Sequence, residues 1–167
     1  MPFFETITLA DSIEINTTPE RVFAFLTGIV DDESYKVWHE ADHVGFIWLK
    51  GEPWQEGSVM RADEYLHGKL HRLKFEVTEV KPGRRIEYAP TSRLMRIFCP
   101  RNEFIMEPKG DACLFAATVT VRIGWIGKVF FKKAIDEGLA SVRAHMQEEG
   151  ENLKKILEAE QGRAGQV

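Results

Sequence analysis

The chain has 167 residues, 44% hydrophobic and 29% charged, a composition typical of one soluble globular domain with a sizeable core. Its net charge of −4 argues against nucleic acid as the main partner, because binding phosphates requires a basic face. Apolar runs are too short to span a bilayer and no secretory signal is evident, so we expect a cytoplasmic protein with no membrane partner and with reduced Cys99 and Cys113.

The N-terminal part predicts one strand and two short helices. Residues 4–16 are rich in β-branched residues with partial alternation, which is typical of a strand. Thr18 can cap a following helix and Pro19 suits its first position, so we expect a short amphipathic helix that ends near Gly28. Residues 31–38 can form a second short helix.

The middle of the chain has a period of two residues, which predicts a run of antiparallel strands separated by turn sequences. These strands are expected at 43–50, 57–67, 70–80, 84–90, 94–107 and 112–123. From about 125 to 160 an apolar stripe at helical spacing predicts one long helix. We therefore expect an α+β fold in residues 1–160, with a curved antiparallel sheet wrapped around a long C-terminal helix, and a loose tail at 161–167.

Glu64 is the first candidate site residue. It falls on the same strand face as Met60 and Ala62, which predicts that its carboxylate faces the space between sheet and helix. A lone buried carboxylate is costly unless it is paired or bound to a metal. The alternative is a structural hydrogen bond to an arginine or an indole.

His145 and Glu149 lie four residues apart in the predicted long helix, on the edge of its apolar stripe. A solvent-exposed ion pair is the alternative for them. His43 opens a predicted strand, and His39 competes with it if residues 35–43 are helical. Two histidines and two carboxylates are a suitable ligand set for one divalent metal such as zinc, with other divalent metals possible.

The segment Ile13–Leu26, with the sequence IEINTTPERVFAFL, resembles the opening of the START-like superfamily, also called Bet v 1-like or polyketide cyclase/dehydrase. The helix sequence around His145 resembles that superfamily's terminal helix. The resemblance covers almost the whole chain and implies the helix-grip fold. It leaves function open, because this fold serves carriers, cyclases, hydrolases and regulators.

The string YKVWHEADH, residues 35–43, is similar to a motif of the zinc-dependent 2,4-diacetylphloroglucinol hydrolase family, although Glu40 stands where that motif has proline. The resemblance implies zinc ligands at His43, Glu64, His145 and Glu149 and implicates Tyr35 near the substrate. His71, which belongs to the apolar face of the next strand, is a candidate for proton transfer, with an exposed strand end as the alternative.

Together these features predict a zinc-dependent hydrolase that cleaves a carbon–carbon bond in a small acylated aromatic or β-diketone compound. One alternative is a non-catalytic binder of an apolar small molecule. Another is a metal-free polyketide cyclase or dehydratase. We expect a monomer or a homodimer.

Overall fold

The structure is a computed structural model that describes residues 4–39, 43–66 and 68–164, without the side chains of His43, Leu66 and Ala164. In chain order its elements are β1 (Phe4–Ile15), α1 (Pro19–Thr27), α2 (Asp32–Trp38), β2 (His43–Lys50), β3 (Val59–Leu66), β4 (Lys69–Lys81), β5 (Arg85–Pro90), α3 (Arg93–Phe98), β6 (Arg101–Lys109), β7 (Ala112–Gly124), α4 (Trp125–Phe130) and α5 (Lys132–Ala164).

The strands form one antiparallel sheet in the order β1-β7-β6-β5-β4-β3-β2. This curved sheet and the long helix α5 confirm the predicted α+β class, and α1 and α2 are the two short helices that follow the first strand. The Thr18 hydroxyl accepts a hydrogen bond from the backbone N–H of Arg21 at 3.3 Å, and Pro19 is the first residue of α1, as expected.

The core lies between the sheet and α5. Met146, Leu153 and Leu157 of the helix are at most 3% exposed. A Cβ atom added to Gly150 would lie 3.2 Å from Cγ2 of Ile13, so glycine permits the close approach of α5 to β1. The predicted stripe of α5 is therefore the face that the sheet covers.

The segment 93–98 corrects the prediction of a continuous strand over 94–107. It forms α3, where the Ser92 hydroxyl accepts a hydrogen bond from the backbone N–H of Met95 at 3.4 Å. The Arg96 side chain donates to the carbonyl of Pro90 at 2.9 Å. Leu, Met and Arg are good helix formers, so this capped segment adopts a helix before β6 begins.

The C-terminal helical region differs from its prediction at two points. Phe131, with φ of −127° and ψ of 20°, separates α4 from α5, so residues 125–160 are not one continuous helix. Helix α5 also continues to Ala164, into the expected tail. Among the described residues, no helix combines the length and apolar character that crossing a bilayer requires.

Candidate functional site

Hydrogen bonds hold α2 between β2 and α5. The indole N–H of Trp38 donates to the backbone carbonyl of Glu149 at 3.0 Å, and the Asn152 amide donates to the backbone carbonyl of Trp38 at 3.2 Å. On the other side, a carboxylate oxygen of Asp32 accepts from the backbone N–H of Phe46 at 2.8 Å. These contacts bring the C-terminal end of α2 against the middle of α5.

Two histidines and one glutamate meet where α2 approaches α5. Nε2 of His39 lies 3.0 Å and Nε2 of His145 lies 3.4 Å from the same Oε1 atom of Glu149. The two imidazole rings stack with their centroids 5.2 Å apart. One potential ligand atom from each of the three side chains lies within 4.8 Å of the other two, a spacing that one metal ion can bridge.

Glu64 reaches the same cluster from β3. Its side chain is buried, as its strand parity predicts, and Oε2 lies 3.8 Å from Nε2 of His145. The other oxygen accepts a hydrogen bond from the Tyr35 hydroxyl. The Tyr35 ring lies between the rings of Phe46 and His39, with centroid distances of 4.6 and 4.8 Å. This packing fixes the phenol against the carboxylate.

The protonation of two of these groups follows from their surroundings. Burial, together with the negative charges of Glu64 and Glu149, raises the pKa of Tyr35 well above 10, so the phenol stays neutral. Burial raises the pKa of Glu149, but the polar contacts and charges of His145 and His39 outweigh it and lower the value to about 2. Glu149 is therefore a carboxylate throughout the neutral range.

A divalent metal fits this donor set. Nε2 of His39 is buried and has no aligned hydrogen-bond partner among the described residues, despite its short distance to Glu149. A buried ring nitrogen without a partner is costly, and coordination of a metal by the neutral imidazole would satisfy it. Imidazole nitrogens with carboxylate oxygens match the ligand preferences of zinc and of several other divalent metals.

The predicted residues are brought together to different extents. Tyr35, Glu64, His145 and Glu149 meet at the cluster. His43 pairs with Glu64 in the backbone register of β2 and β3, but its side chain lies outside the described residues. Its assignment as a ligand stays a prediction, while His39, the alternative, lies in the cluster.

His71 lies opposite Glu64 in the register of β3 and β4, so the two residues share a face of the sheet. Its side chain is half-buried and does not line the apolar cavity next to the cluster. Its suggested part in proton transfer remains a prediction.

An apolar cavity of about 270 Å³ opens next to the cluster. Tyr35, Glu64, His145 and Glu149 contribute its polar wall. Its remaining lining is mostly aromatic and aliphatic, and includes Trp38, Trp54, Phe75, Tyr88 and Phe104. The aromatic residues Phe98 and Trp125 do not line the cavity and are 45% and 62% exposed. The cavity suits a small ring-bearing molecule whose polar end meets the cluster.

Tyr88 is a site residue that the sequence analysis missed. It lines the cavity, and its hydroxyl makes no hydrogen bond within the described residues. Burial raises its pKa well above 10, and the charges of Glu149 and Glu64 add to this effect. Strand alternation could have identified Tyr88, because it shares a face of β5 with Ile86 and Pro90, which are both fully buried.

Comparison with known proteins identifies the family. Residues 6–158 match the family described as polyketide cyclase/dehydrase and lipid transport. The chain belongs to this family. A search of curated proteins gives no match. Membership implies a small hydrophobic ligand, which agrees with the apolar lining of the cavity in this polyketide cyclase/dehydrase family member.

Solved structures share the fold of this family member at low sequence identity. Norcoclaurine synthase from Thalictrum flavum, solved with dopamine and hydroxybenzaldehyde, is 9% identical with a TM-score of 0.70, over 93% of this chain and 88% of that one. A polyketide-cyclase-like protein from Corynebacterium glutamicum is 18% identical with a TM-score of 0.58, over 96% and 95%. The di-domain ARO/CYC protein BexL is 14% identical with a TM-score of 0.68, over 90% and 49%.

Proposed function

We propose that this protein is a metal-dependent hydrolase that cleaves a carbon–carbon bond in a small acylated aromatic or β-diketone compound, with zinc as the expected metal. The observation that carries the proposal is the cluster of His39, His145 and Glu149, of which His145 and Glu149 line an apolar cavity. Glu64 joins these three as a fourth donor, 3.8 Å from His145. The histidine and carboxylate donors lie beside a cavity that is large enough for one aromatic ring. This arrangement would place a substrate next to the metal.

When bound, a divalent metal supplies a positive charge that polarises a ketone oxygen and lowers the pKa of a water molecule. The protein residues orient the carboxylate of Glu64 and the substrate around the metal. Tyr35 remains protonated and can donate a hydrogen bond, which either aligns Glu64 or meets an oxygen of the substrate. Trp38, Phe75 and Phe104 keep bulk water away from the ring.

The proposed reaction adds water across the bond between the acyl carbon and the ring. Water oxygen bonds to the acyl carbon, and the ring carbon leaves with the electron pair and takes up a proton. The products are a carboxylic acid and the deacylated ring. An electron-rich ring is required, since it must accept the proton on carbon. His71 and Tyr88 are the candidates to deliver protons, and Tyr88 is the one that lines the cavity.

The family supports a second candidate, a metal-free polyketide cyclase or dehydratase, or a non-catalytic binder of similar molecules. In that case His39, His145 and Glu149 form an ion-paired acid–base network in place of a metal site. The substrate would then be a flexible polyketone that folds into rings inside the cavity, and no carboxylic acid would be released.

The test compares metal-free and zinc-loaded protein on a mono- or diacylated phloroglucinol and on a simple β-diketone, with the released carboxylic acid measured by NMR. We expect acid release only with metal, and its loss in Glu149→Ala. The matched control is Glu148→Ala, since Glu148 is exposed and adjacent. Turnover of a polyketone without metal would support the cyclase. Stoichiometric metal binding with no cleavage of either substrate would contradict the proposed reaction.

A further inference from the structure

Helices α3 and α4 together present an unusually apolar part of the surface. The side chains concerned are 45–71% exposed, and they are Leu94, Ile97, Phe98, Trp125, Ile126, Val129, Phe130 and Phe131. Phe4 lies between the two helices. The centroid of its ring is 6.1 Å from that of Phe98, and its backbone pairs with Gly124, the residue before α4. We call these eight residues the α3–α4 surface. Large exposed patches of this kind mark interaction sites.

Basic residues accompany this surface although the chain as a whole is acidic. The segments 91–102 and 112–135 contain no aspartate or glutamate, and their charged residues are Arg93, Arg96, Arg101, Arg122, Lys128, Lys132 and Lys133. The acidic groups that face them come from other segments. Lys128 pairs with Glu5, Lys132 with Asp136 at 2.6 Å, Lys133 with Glu137 at 3.8 Å, Arg96 with Glu76 at 3.0 Å, and Arg101 with Glu103 at 3.5 Å. Most of these pairs are exposed, and such pairs are weak and open to exchange.

The same surface borders the ligand cavity. Met95 of α3 lines the cavity, although it is also 46% exposed, and Cys99 at the end of the helix lines the cavity as well. Leu94 and Ile97, on the outer side of α3, belong to the exposed surface. Helix α3 therefore separates the cavity from the apolar exterior. A hydrophobic molecule held at the α3–α4 surface would therefore lie next to a wall of the cavity.

We propose that the α3–α4 surface docks on an anionic lipid bilayer, from which the apolar ligand enters the cavity. Exposed Trp and Phe beside Lys and Arg are the combination that binds the interface of a negatively charged membrane. A second copy of this chain is disfavoured as the occupant, since a two-fold contact would bring the basic residues of both copies together. Peripheral docking differs from the sequence-based expectation of no membrane partner, and it requires no helix that crosses the bilayer.

Flotation with lipid vesicles tests the proposal. Wild-type protein is mixed with vesicles of phosphatidylcholine alone or with one quarter phosphatidylglycerol, at low and at physiological salt. We expect binding to the anionic vesicles that weakens as salt rises. The double variant Phe130→Ser/Phe131→Ser should weaken that binding by about tenfold or more, because it removes two large apolar contacts. Lys132→Gln/Lys133→Gln should weaken it by several fold.

The matched control is Val37→Ser/Tyr65→Ser, which removes two side chains that are 62% and 51% exposed elsewhere on the molecule. Its vesicle binding should equal that of the wild type. Analytical ultracentrifugation of the same proteins provides the second measurement. No binding to anionic vesicles, equal binding to both vesicle types, or equal binding by the phenylalanine variant would overturn the proposal. So would a dimer that dissociates in the phenylalanine variant without vesicle binding.

Discussion

Glu64 is buried on an apolar strand face, and its neighbours explain how it is tolerated there. One carboxylate oxygen accepts a hydrogen bond from the Tyr35 hydroxyl, and the other lies 3.8 Å from Nε2 of His145. A carboxylate with these partners needs neither an arginine nor an indole, the two partners expected for a purely structural role. Strand parity predicted the burial of Glu64 correctly, because Met60 and Ala62 on the same face of β3 are buried too, although Asp63 on the other face is also buried.

The choice between His39 and His43 could not be made from spacing. Either histidine is a suitable ligand by residue type, and which of them contacts α5 depends on the residue at which α2 ends. In the structure α2 ends at Trp38, and His39 follows at once as its C-cap, beside Glu149. We predict that His39→Ala weakens zinc binding by at least about tenfold, the lower end of what losing a supporting group costs. His43, opposite Glu64 in the register of β2 and β3, remains a predicted ligand, and His43→Ala in the same calorimetric titration tests it. Unchanged zinc affinity in His39→Ala together with a loss in His43→Ala would contradict His39 as a ligand.

The partly buried phenol of Tyr88, whose pKa is raised, leads us to expect a loss of stability at alkaline pH. Its pKa is raised in the folded protein, so above pH 10 the unfolded chain releases a proton that the folded protein retains. Stability must then fall as pH rises, by up to about 1.4 kcal/mol per pH unit for one such group. Tyr88→Phe should make this decline shallower in urea unfolding between pH 9 and 11.5. Tyr65→Phe, at an exposed tyrosine, serves as the control and should leave the slope unchanged.

At the scale of elements, the hydrogen bonds around α2 determine the site. A seven-residue helix is too short to be stable alone, and Trp38 attaches it to α5 through both its indole and its backbone carbonyl. The sequence predicted α2 and α5 as helices but not their contact, because that contact joins residues more than 110 positions apart. Long-range pairing of this kind leaves no periodic signal.

The longer strands and helices could be predicted because each is long enough to show a period of apolar residues, whereas α3 is too short. Strands β2 to β7 alternate or stay apolar over six or more residues, which is long enough for the period to be read. Helix α3 has only six residues and none of them is buried, so it is too short for a helical period of apolar residues to be recognised. Its Ser92 cap was the only local signal, and the apolar residues around it were assigned to a strand.

Helix α5 should contribute most to stability through its middle. Leu153 is fully buried against the sheet, so Leu153→Ala leaves a cavity and should cost about 2–5 kcal/mol in the free energy of unfolding. Leu94→Ala removes a side chain that is 66% exposed and should change stability by less than about 0.5 kcal/mol. Chemical denaturation measures both. A comparable loss in the two variants would show that α5 does not pack on the sheet as described.

In the molecule as a whole, the cluster forms one wall of the cavity, and the other walls can be altered without changing the metal donors. Ala117 lines the cavity on β7 and is 4% exposed, so Ala117→Leu fills part of the space. We predict weaker binding of an acylated aromatic ligand in this variant, by about tenfold if one ring contact is lost. Its zinc affinity should match the wild type. A variant that binds the ligand normally would place the ligand outside this cavity.

Calorimetric titration of zinc into chelator-treated protein shows whether the cluster binds one metal ion. We expect one zinc per chain in the wild type and in Glu148→Ala. The affinity of Glu149→Ala should be weaker by at least about tenfold, because the carboxylate shared by His39 and His145 is lost. Wild-type protein that binds no zinc, or a Glu149→Ala variant that binds it as tightly, would rule out a metal site at this cluster.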